Sequence, residues 1–227
     1  MGNVIKLIGL IAINVFLISA IHYSLVIQNT ASKSKTNRFI SEIDILDTYF
    51  RKKMVQDMSE QLIDLSEALD RNGKRKSTDY IAIHHTGADE SLVDVIDFHT
   101  KIQKWRSVGY HYYIDKSGTV YRLLKPNSTS AHAKHHNSDA VSVCMQGNFE
   151  EENPTAKQYE QCLKLIYILH VKYPDAEIVG HKDLSKTACP GRNFPLSYLI
   201  NQVNHFHTFV LWKQKLKKFS QSFGRSN

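Results

Sequence analysis

The chain has 227 residues, of which 22% are charged, and a formal net charge of +7 at pH 7. This length leaves room for one ordinary domain with flanking segments. The positive charge suits an acidic partner, such as nucleic acid, an anionic membrane surface or an acidic polymer. Because the basic residues lie mainly in the flanks and no nucleic-acid-binding motif is present, we expect no nucleic-acid partner. The three cysteines do not amount to a disulfide framework.

An apolar run without Asp, Glu, Lys or Arg covers residues 7–27. About 20 apolar residues can cross a bilayer as one helix. A cleaved signal peptide usually has a shorter apolar region and a small-x-small site, which is not evident here, and a buried helix is a third alternative. We expect residues 1–37 to be an uncleaved signal anchor and linker that attaches the chain to a membrane. More basic residues follow the run (Lys33, Lys35 and Arg38) than precede it, so the positive-inside rule favours a cytoplasmic C-terminal part.

Two further segments flank the centre of the chain. Apolar residues recur at steps of three or four between Ile40 and Leu69, which predicts one or two amphipathic helices. Gly73 lies in a basic stretch and marks their end. We expect residues 38–76 to be a helical region that packs on the next domain or acts as a stalk, and residues 206–227 to be a basic tail.

Residues 77–205 alternate between strand and helix patterns. The predicted strands are 79–84, 110–115, 119–123, 140–146 and 177–180, and the predicted helices are 91–106 and 155–172. Lys116-Ser117-Gly118 separates two aromatic and β-branched runs, which predicts a hairpin. The order predicts an α/β fold with a central mixed β-sheet flanked by helices, because one hairpin interrupts otherwise parallel connections.

Potential metal ligands follow two of the predicted strands. His84 and His85 end the first strand, and His181 and Cys189 lie eight positions apart in the loop after the last strand. Zinc prefers tetrahedral nitrogen and sulfur ligands, and a catalytic site keeps one position for water. If His84, His181 and Cys189 converge, they form such a three-ligand site. The spacing alone is weak evidence and by itself favours a solvated histidine and a lone buried thiol.

Five ordered motifs are more specific than any single spacing. They are IAIHHT (81–86), VGYHYYID (108–115), AHAKHHN (131–137), GNF (147–149) and GHKDLSKTACPG (180–191). In this order they resemble the zinc-dependent N-acetylmuramoyl-L-alanine amidases, the family shared by phage endolysin amidases and the peptidoglycan recognition proteins. The resemblance covers residues 78–200.

The resemblance implies a mixed sheet flanked by helices, with a groove for the substrate, peptidoglycan or a muropeptide. It implies hydrolysis of the amide between the lactyl group of N-acetylmuramic acid and the L-alanine of the stem peptide. Zn²⁺ is the implied cofactor, with His84, His181 and Cys189 as ligands. His85 is similar to the family's second, non-ligand histidine, and we expect it to pack or hydrogen-bond nearby.

Other roles are carried over by position. Tyr110 matches the family's catalytic tyrosine, whose phenol would donate a hydrogen bond to the amide oxygen as negative charge develops there. Thr187 matches the catalytic threonine of the recognition-protein branch, whereas the lysine of several phage enzymes stands one place earlier, as Lys186. We expect His132, Asn137 and Lys186 to contact the substrate. Without the motif, Tyr110 would suit core packing, and His132 and Asn137 would suit a surface loop and a turn.

Three alternatives stay open at this point. The chain could bind peptidoglycan without cleaving it, although in the family that accompanies loss of the cysteine, and Cys189 is present. It could be a cytoplasmic amidase that recycles wall fragments, or an unrelated zinc hydrolase. A wall substrate and the apolar N-terminus favour a membrane-anchored protein whose catalytic domain is on the periplasmic or extracellular side. No glutamate is placed by a motif as general base.

Overall fold

The computed structural model describes residues 56, 58 and 62–205, and residues 62–203 belong to one compact unit. The predicted signal anchor and linker (1–37), the basic tail (206–227) and most of the predicted helical region before residue 62 lie outside the described residues. In the part of the chain that is described, no helix is long and apolar enough to cross a membrane.

In the described residues, the unit contains six strands, four helices with defined bounds and a helical segment near its C-terminal end. The strands are β1 (Leu62–Asp64), β2 (Tyr80–His85), β3 (Tyr112–Ile114), β4 (Val120–Arg122), β5 (Ala140–Met145) and β6 (Glu177–Gly180). The helices are α1 (Ser66–Leu69), α2 (Leu92–Asp97), α3 (Ala156–Lys172) and α4 (His181–Leu184), and a π-helical turn (Phe98–Ile102) continues α2. Residues 196–205 are also helical.

The strands form one sheet in the order β1-β4-β3-β5-β2-β6, and the predicted mixed sheet is confirmed. Only the β3–β4 hairpin is antiparallel among the paired strands. β5 is buried along its whole length, and β2 is buried from Ile81 to His84, which explains why both strands are rich in apolar residues. Because β2, β5 and β6 are parallel, their carboxyl ends meet at the same edge of the sheet, and this edge carries the candidate site.

Helix α3 confirms the helix predicted over 155–172. Thr155 begins it with a capping box, in which its side chain accepts the Gln158 N–H and the Gln158 side chain accepts the Thr155 N–H. Its buried face includes Cys162, Ile166 and Leu169, which recur at three or four residue steps. The prediction succeeds here because the cap and the apolar stripe agree on the same boundaries.

The prediction of a helix up to Leu69 is wrong over its last turns. Residues 62–64 form strand β1, which pairs in parallel with β4 at the edge of the sheet, and only Ser66–Leu69 are helical. Leu65 and Leu69 pack against the buried core cluster. The periodic leucines therefore reflect burial against the domain, and an ion pair between Asp64 and Arg122 holds the strand in place.

Two other predicted elements are shorter than expected. The helix predicted over 91–106 starts after a Ser91 capping box. Its α-helical part ends at Asp97, and the π-helical turn that follows ends at Ile102. The strand predicted over 110–115 begins only at Tyr112. Tyr110 and His111 leave the regular ladder, and both side chains enter the hydrogen-bonded and aromatic contacts described below.

Candidate metal and catalytic centre

His84, His181 and Cys189 converge at the carboxyl edge of the sheet. Each offers one ligand atom, and these atoms all lie within 4.8 Å of one another. His84 Nδ1 lies 3.8 Å from Cys189 Sγ, and the His84 and His181 ring centroids are 4.5 Å apart. Ligand atoms bonded to one tetrahedral zinc at about 2.0–2.3 Å are themselves about 3.3–3.8 Å apart. The three side chains thus have a spacing that one metal ion could bridge.

Strand register explains why residues a hundred positions apart meet. Ile83 is the Cα partner of Gly180 in the parallel β2–β6 pair, so His84 and His181 are the next residues along neighbouring strands. Cys189 returns to this point because the Lys182 N–H donates to the Cys189 carbonyl at 2.7 Å. The His85 N–H then donates to Cys189 Sγ at 3.3 Å.

The electrostatics of the three groups suit a cation. Burial, together with His132, His181 and His85, holds the pKa of His84 well below its usual value, so its imidazole is neutral and has a free lone pair. Burial raises the pKa of the Cys189 thiol to about 12. A thiolate in this position therefore needs a neighbouring positive charge, which a bound metal ion would supply. The donor set consequently fits a metal ion.

His132 lies directly behind His84. Its Nδ1 is 2.8 Å from His84 Nε2, and the two rings meet edge to face. His132 is buried, and burial is the main reason that its pKa is held well below the usual histidine value. Its Nε2 is also buried and has no hydrogen-bond partner among the described residues. The structure thus brings a predicted substrate residue into contact with a candidate ligand and leaves one polar atom for a further partner.

Tyr110 completes this centre. Its ring centroid lies 5.3 Å from that of His84. Burial, with the nearby Cys144 and Cys189 thiols, raises the pKa of Tyr110 well above that of an ordinary phenol. The hydroxyl therefore stays protonated at neutral pH and can donate a hydrogen bond.

A family model described as N-acetylmuramoyl-L-alanine amidase matches residues 74–192, more than half of the chain. The chain belongs to this amidase family. The resemblance inferred from the motifs is thereby confirmed.

Known relatives agree with this assignment. The endolysin of Klebsiella phage KP32 is 32% identical over 126 residues, which make up 52% of this chain and 83% of that protein. The solved structure of the N-acetylmuramoyl-L-alanine amidase endolysin LysCS from Clostridium intestinale superposes with a TM-score of 0.59 at 30% identity, over 63% of this chain and 95% of that one. Wild-type Drosophila PGRP-LB has a TM-score of 0.53 at 23% identity, over 61% and 92%, and this likeness supports the fold alone.

The remaining predicted site residues of the amidase lie in the surrounding loops. Thr187 Oγ1 accepts the Cys189 N–H at 3.2 Å, and Lys186 is exposed beside it. Asn137 Oδ1 accepts the Ala133 N–H at 3.1 Å, so it closes the turn that follows His132. For Thr187, Lys186 and Asn137, contact with substrate stays a prediction.

His85 behaves as expected for a second, non-ligand histidine. Its Nδ1 accepts the Phe149 N–H at 3.0 Å, and its ring packs on that of Phe149. Burial lowers its pKa, so the ring is suited to act as an acceptor. It thereby ties the strand that carries His84 to the loop after β5.

Sequence reasoning missed the support of Tyr110 in this amidase. His99 is buried, accepts the Gly109 N–H on Nδ1 at 3.3 Å and lies edge to face with Tyr110. Trp105 stacks on the other side of His99, with ring planes 11° apart. Burial lowers the pKa of His99 to about 4, so the ring is neutral. A single histidine in a predicted helix carries no signal of this role, because it depends on the π-helical turn.

Proposed function

We propose that this amidase hydrolyses the bond between the lactyl group of N-acetylmuramic acid and the L-alanine of the peptidoglycan stem peptide, with zinc as its cofactor. The observation that carries this proposal is the convergence of two imidazoles and one thiol within 4.8 Å. Nitrogen and sulfur donors suit zinc, whereas calcium and magnesium prefer oxygen ligands. A three-ligand set is also what catalytic zinc sites use, because it keeps one position open.

The proposed mechanism assigns separate tasks to the residues of the centre. Zinc held by His84, His181 and Cys189 would supply Lewis-acid polarisation and activation of water. Tyr110 donates its phenolic proton in a hydrogen bond to the substrate amide oxygen, where negative charge develops during attack. This donor is available because the raised pKa of Tyr110 keeps the phenol neutral.

His132 orients the ligand His84 in this scheme. His84 turns Nδ1 towards Cys189, so the proton of its ring is on Nε2 and is donated to His132 Nδ1 at 2.8 Å. The proton of His132 is then on Nε2, the buried atom without a partner in the described residues. His132 thus fixes the His84 ring from behind, with Nδ1 turned towards the metal position, and its own contact with the substrate stays a prediction.

The loop residues have supporting roles in the proposal. Thr187 fixes the backbone at Cys189, and Lys186 presents an exposed ammonium from the same loop to acidic groups of the substrate. Asn137 keeps the turn after His132 closed. Each of these roles is secondary to the zinc ligands and Tyr110.

The proposal is tested with the purified full chain and purified peptidoglycan. New L-alanine amino termini are expected with zinc, should disappear after chelation and should return when zinc is restored. A zinc-loaded chain that binds peptidoglycan but releases no such termini is a binding protein, and the hydrolase proposal fails. Release that is unaffected by chelation refutes the zinc dependence.

Matched variants separate the ligand from the donor. Cys189→Ala should lose both zinc and activity, whereas Cys162→Ala, which removes a buried thiol from α3, should keep both. Tyr110→Phe should lower kcat about 10²- to 10³-fold at unchanged zinc content, because it removes one oxyanion donor. Tyr121→Phe is its control, since that hydroxyl bonds Asp115. Full activity of Cys189→Ala would refute the ligand assignment.

We also propose that residues 7–27 anchor the chain in a membrane, with the amidase domain on the periplasmic or extracellular side. The support is the length of this charge-free apolar run and the location of a wall substrate. A reporter fused after residue 76 should be active on the outer side of the membrane. Cytoplasmic activity of the reporter would instead favour an enzyme that recycles wall fragments, as the basic residues after the run suggest.

A further inference from the structure

The segment before β2, residues 62–76, runs across the domain and is called here the N-terminal strap. Its last part contains Arg75, whose guanidinium is half-buried beneath the loop that carries His132. We propose that Arg75 is a positioning residue that sets the placement of Tyr110 relative to His132. This inference rests on the proposed function, because it assumes that both side chains act on the substrate.

Arg75 holds the start of the His132 loop through two carbonyl groups. Its Nη2 donates to the Pro126 carbonyl at 2.7 Å, and its Nη1 donates to the Ser128 carbonyl at 3.2 Å. Its Nε donates to the Ser77 carbonyl at 2.7 Å, which ties the group to the chain just before β2. The Arg75 side chain thus joins the strap to the loop through both terminal nitrogens of its planar guanidinium group.

The Ser128 carbonyl connects this loop to the segment around Tyr110. The Ser142 N–H donates to His111 Nδ1 at 3.1 Å, so the proton of the His111 ring is on Nε2. That Nε2 donates to the Ser128 carbonyl at 2.9 Å, the same oxygen that Arg75 contacts. Arg75 and His111 therefore bind the same buried carbonyl group. Of these two residues, His111 directly follows Tyr110 in the chain.

A second backbone contact lies on the other side of Tyr110. The Ala131 N–H donates to the Gly109 carbonyl at 3.2 Å. Gly109 and His111 flank Tyr110, so the clamp holds Tyr110 on both sides. On the loop, both contacts lie before His132, at Ser128 and Ala131. Arg75 and His111 both contribute side-chain contacts at Ser128, whereas the Ala131 end is made by backbone alone.

Asp70 adds to the same clamp from the strap. Its Oδ2 accepts the Lys125 N–H at 2.9 Å and the Ser128 hydroxyl at 2.5 Å. The strap thus binds residues 125–128 through the Arg75 and Asp70 side chains as well as through its backbone, where the Arg75 N–H donates to the Asn127 carbonyl at 2.6 Å. Lysine at position 75 would keep the charge but lacks the rigid planar fork whose two terminal nitrogens contact the two carbonyls separately.

The test uses the full chain with Arg75→Lys and Arg75→Ala, measured as kcat, KM and zinc content. Arg75→Lys should lower kcat roughly 10- to 100-fold at unchanged zinc content, since displacements of about 1 Å can cost 10²-fold. Arg71→Lys and Arg71→Ala are matched controls, because Arg71 lies exposed in the strap and its guanidinium bonds only the Glu67 and Asp70 carbonyls among the described contacts. These controls should keep kcat within about twofold.

A double-mutant cycle distinguishes positioning from general destabilisation. If Arg75 acts through Tyr110, Arg75→Lys should lower kcat by less than about threefold in the Tyr110→Phe background, because coupled residues are not additive. Three results would overturn the positioning role. They are an equal fold-loss of kcat in both backgrounds, an Arg75→Lys variant with unchanged kcat, and loss of the folded state in both Arg75 variants. A wild-type chain that releases no L-alanine termini would instead overturn the proposed function, and this role with it.

Discussion

Acidification from pH 7 to pH 5 should destabilise the fold through His111. This side chain is fully buried, where its Nδ1 accepts from Ser142 and its Nε2 donates to Ser128. Burial is the main reason that its pKa is lowered to about 3; the charge of Arg75 adds to this, while Ser128 and Asp70 oppose it. In the unfolded chain the pKa of a histidine is about 6.5.

The sign and the size of the pH effect on stability follow from the pKa values of His111 in the folded and unfolded states. Between pH 6.5 and pH 3 the unfolded state binds a proton at His111 that the folded state does not bind, so stability falls as the pH falls. At pH 5 the unfolded imidazole is protonated by roughly 30 to 1, whereas the folded imidazole stays neutral. The free energy of unfolding therefore loses about 2 kcal/mol between pH 7 and pH 5 from this group.

The assay is urea unfolding of the wild type and of His111→Gln at both pH values, with equal zinc content. His111→Gln should be less stable at pH 7, but its loss on acidification should be smaller by about 2 kcal/mol. The buried His84 and His99 contribute equally to both proteins and cancel in the difference, whereas His111 itself helps to lower the pKa of His132. An equal loss in wild type and His111→Gln would refute the reasoning.

Two further changes test the architecture. Gly191→Ala should destabilise the fold by about 2 kcal/mol and lower zinc affinity, because φ is +96° and a Cβ would lie 2.4 Å from the Phe149 carbonyl carbon. Gly73→Ala, where a Cβ meets nothing within 4 Å, is the control, and equal effects in urea unfolding would contradict this account. A chain that starts at residue 77 should unfold at lower urea concentration than one that starts at residue 54, because it lacks β1 and Arg75; equal midpoints would show that the strap is dispensable.

The central elements could be predicted because several signals in the sequence agree. β2 and β5 are continuous apolar runs, and α3 combines a capping box with an apolar stripe. β1 could not be predicted in this way, since its three residues pair with a strand nearly sixty positions later. Local periodicity contains no information about such a partner, so the leucines around it indicated a helix.

In the candidate site, too, some features could be predicted from local sequence and others depend on long-range contacts. The motifs predicted which side chains belong to the centre, but the contact between His84 and His181 depends on the register of β2 and β6. His99 and Arg75 were not predicted, because each acts through a neighbour and neither carries a motif of its own. His99 reaches Tyr110 only through the π-helical turn, and Arg75 reaches the Ser128 carbonyl that His111 also binds only because the strap crosses the domain.

The charge of the centre suits the proposed reaction. Cys189 is the only one of the three candidate ligands that can become an anion, and no carboxylate is among the groups that shift the pKa values of His84, His181 or Cys189. A divalent ion bound to one thiolate and two neutral imidazoles leaves a net positive charge in a largely buried position. Amide hydrolysis places developing negative charge on the carbonyl oxygen, and Tyr110 would aim a further donor at the same region. Binding is therefore expected to be stronger for the transition state than for the neutral substrate, which is the requirement for catalysis.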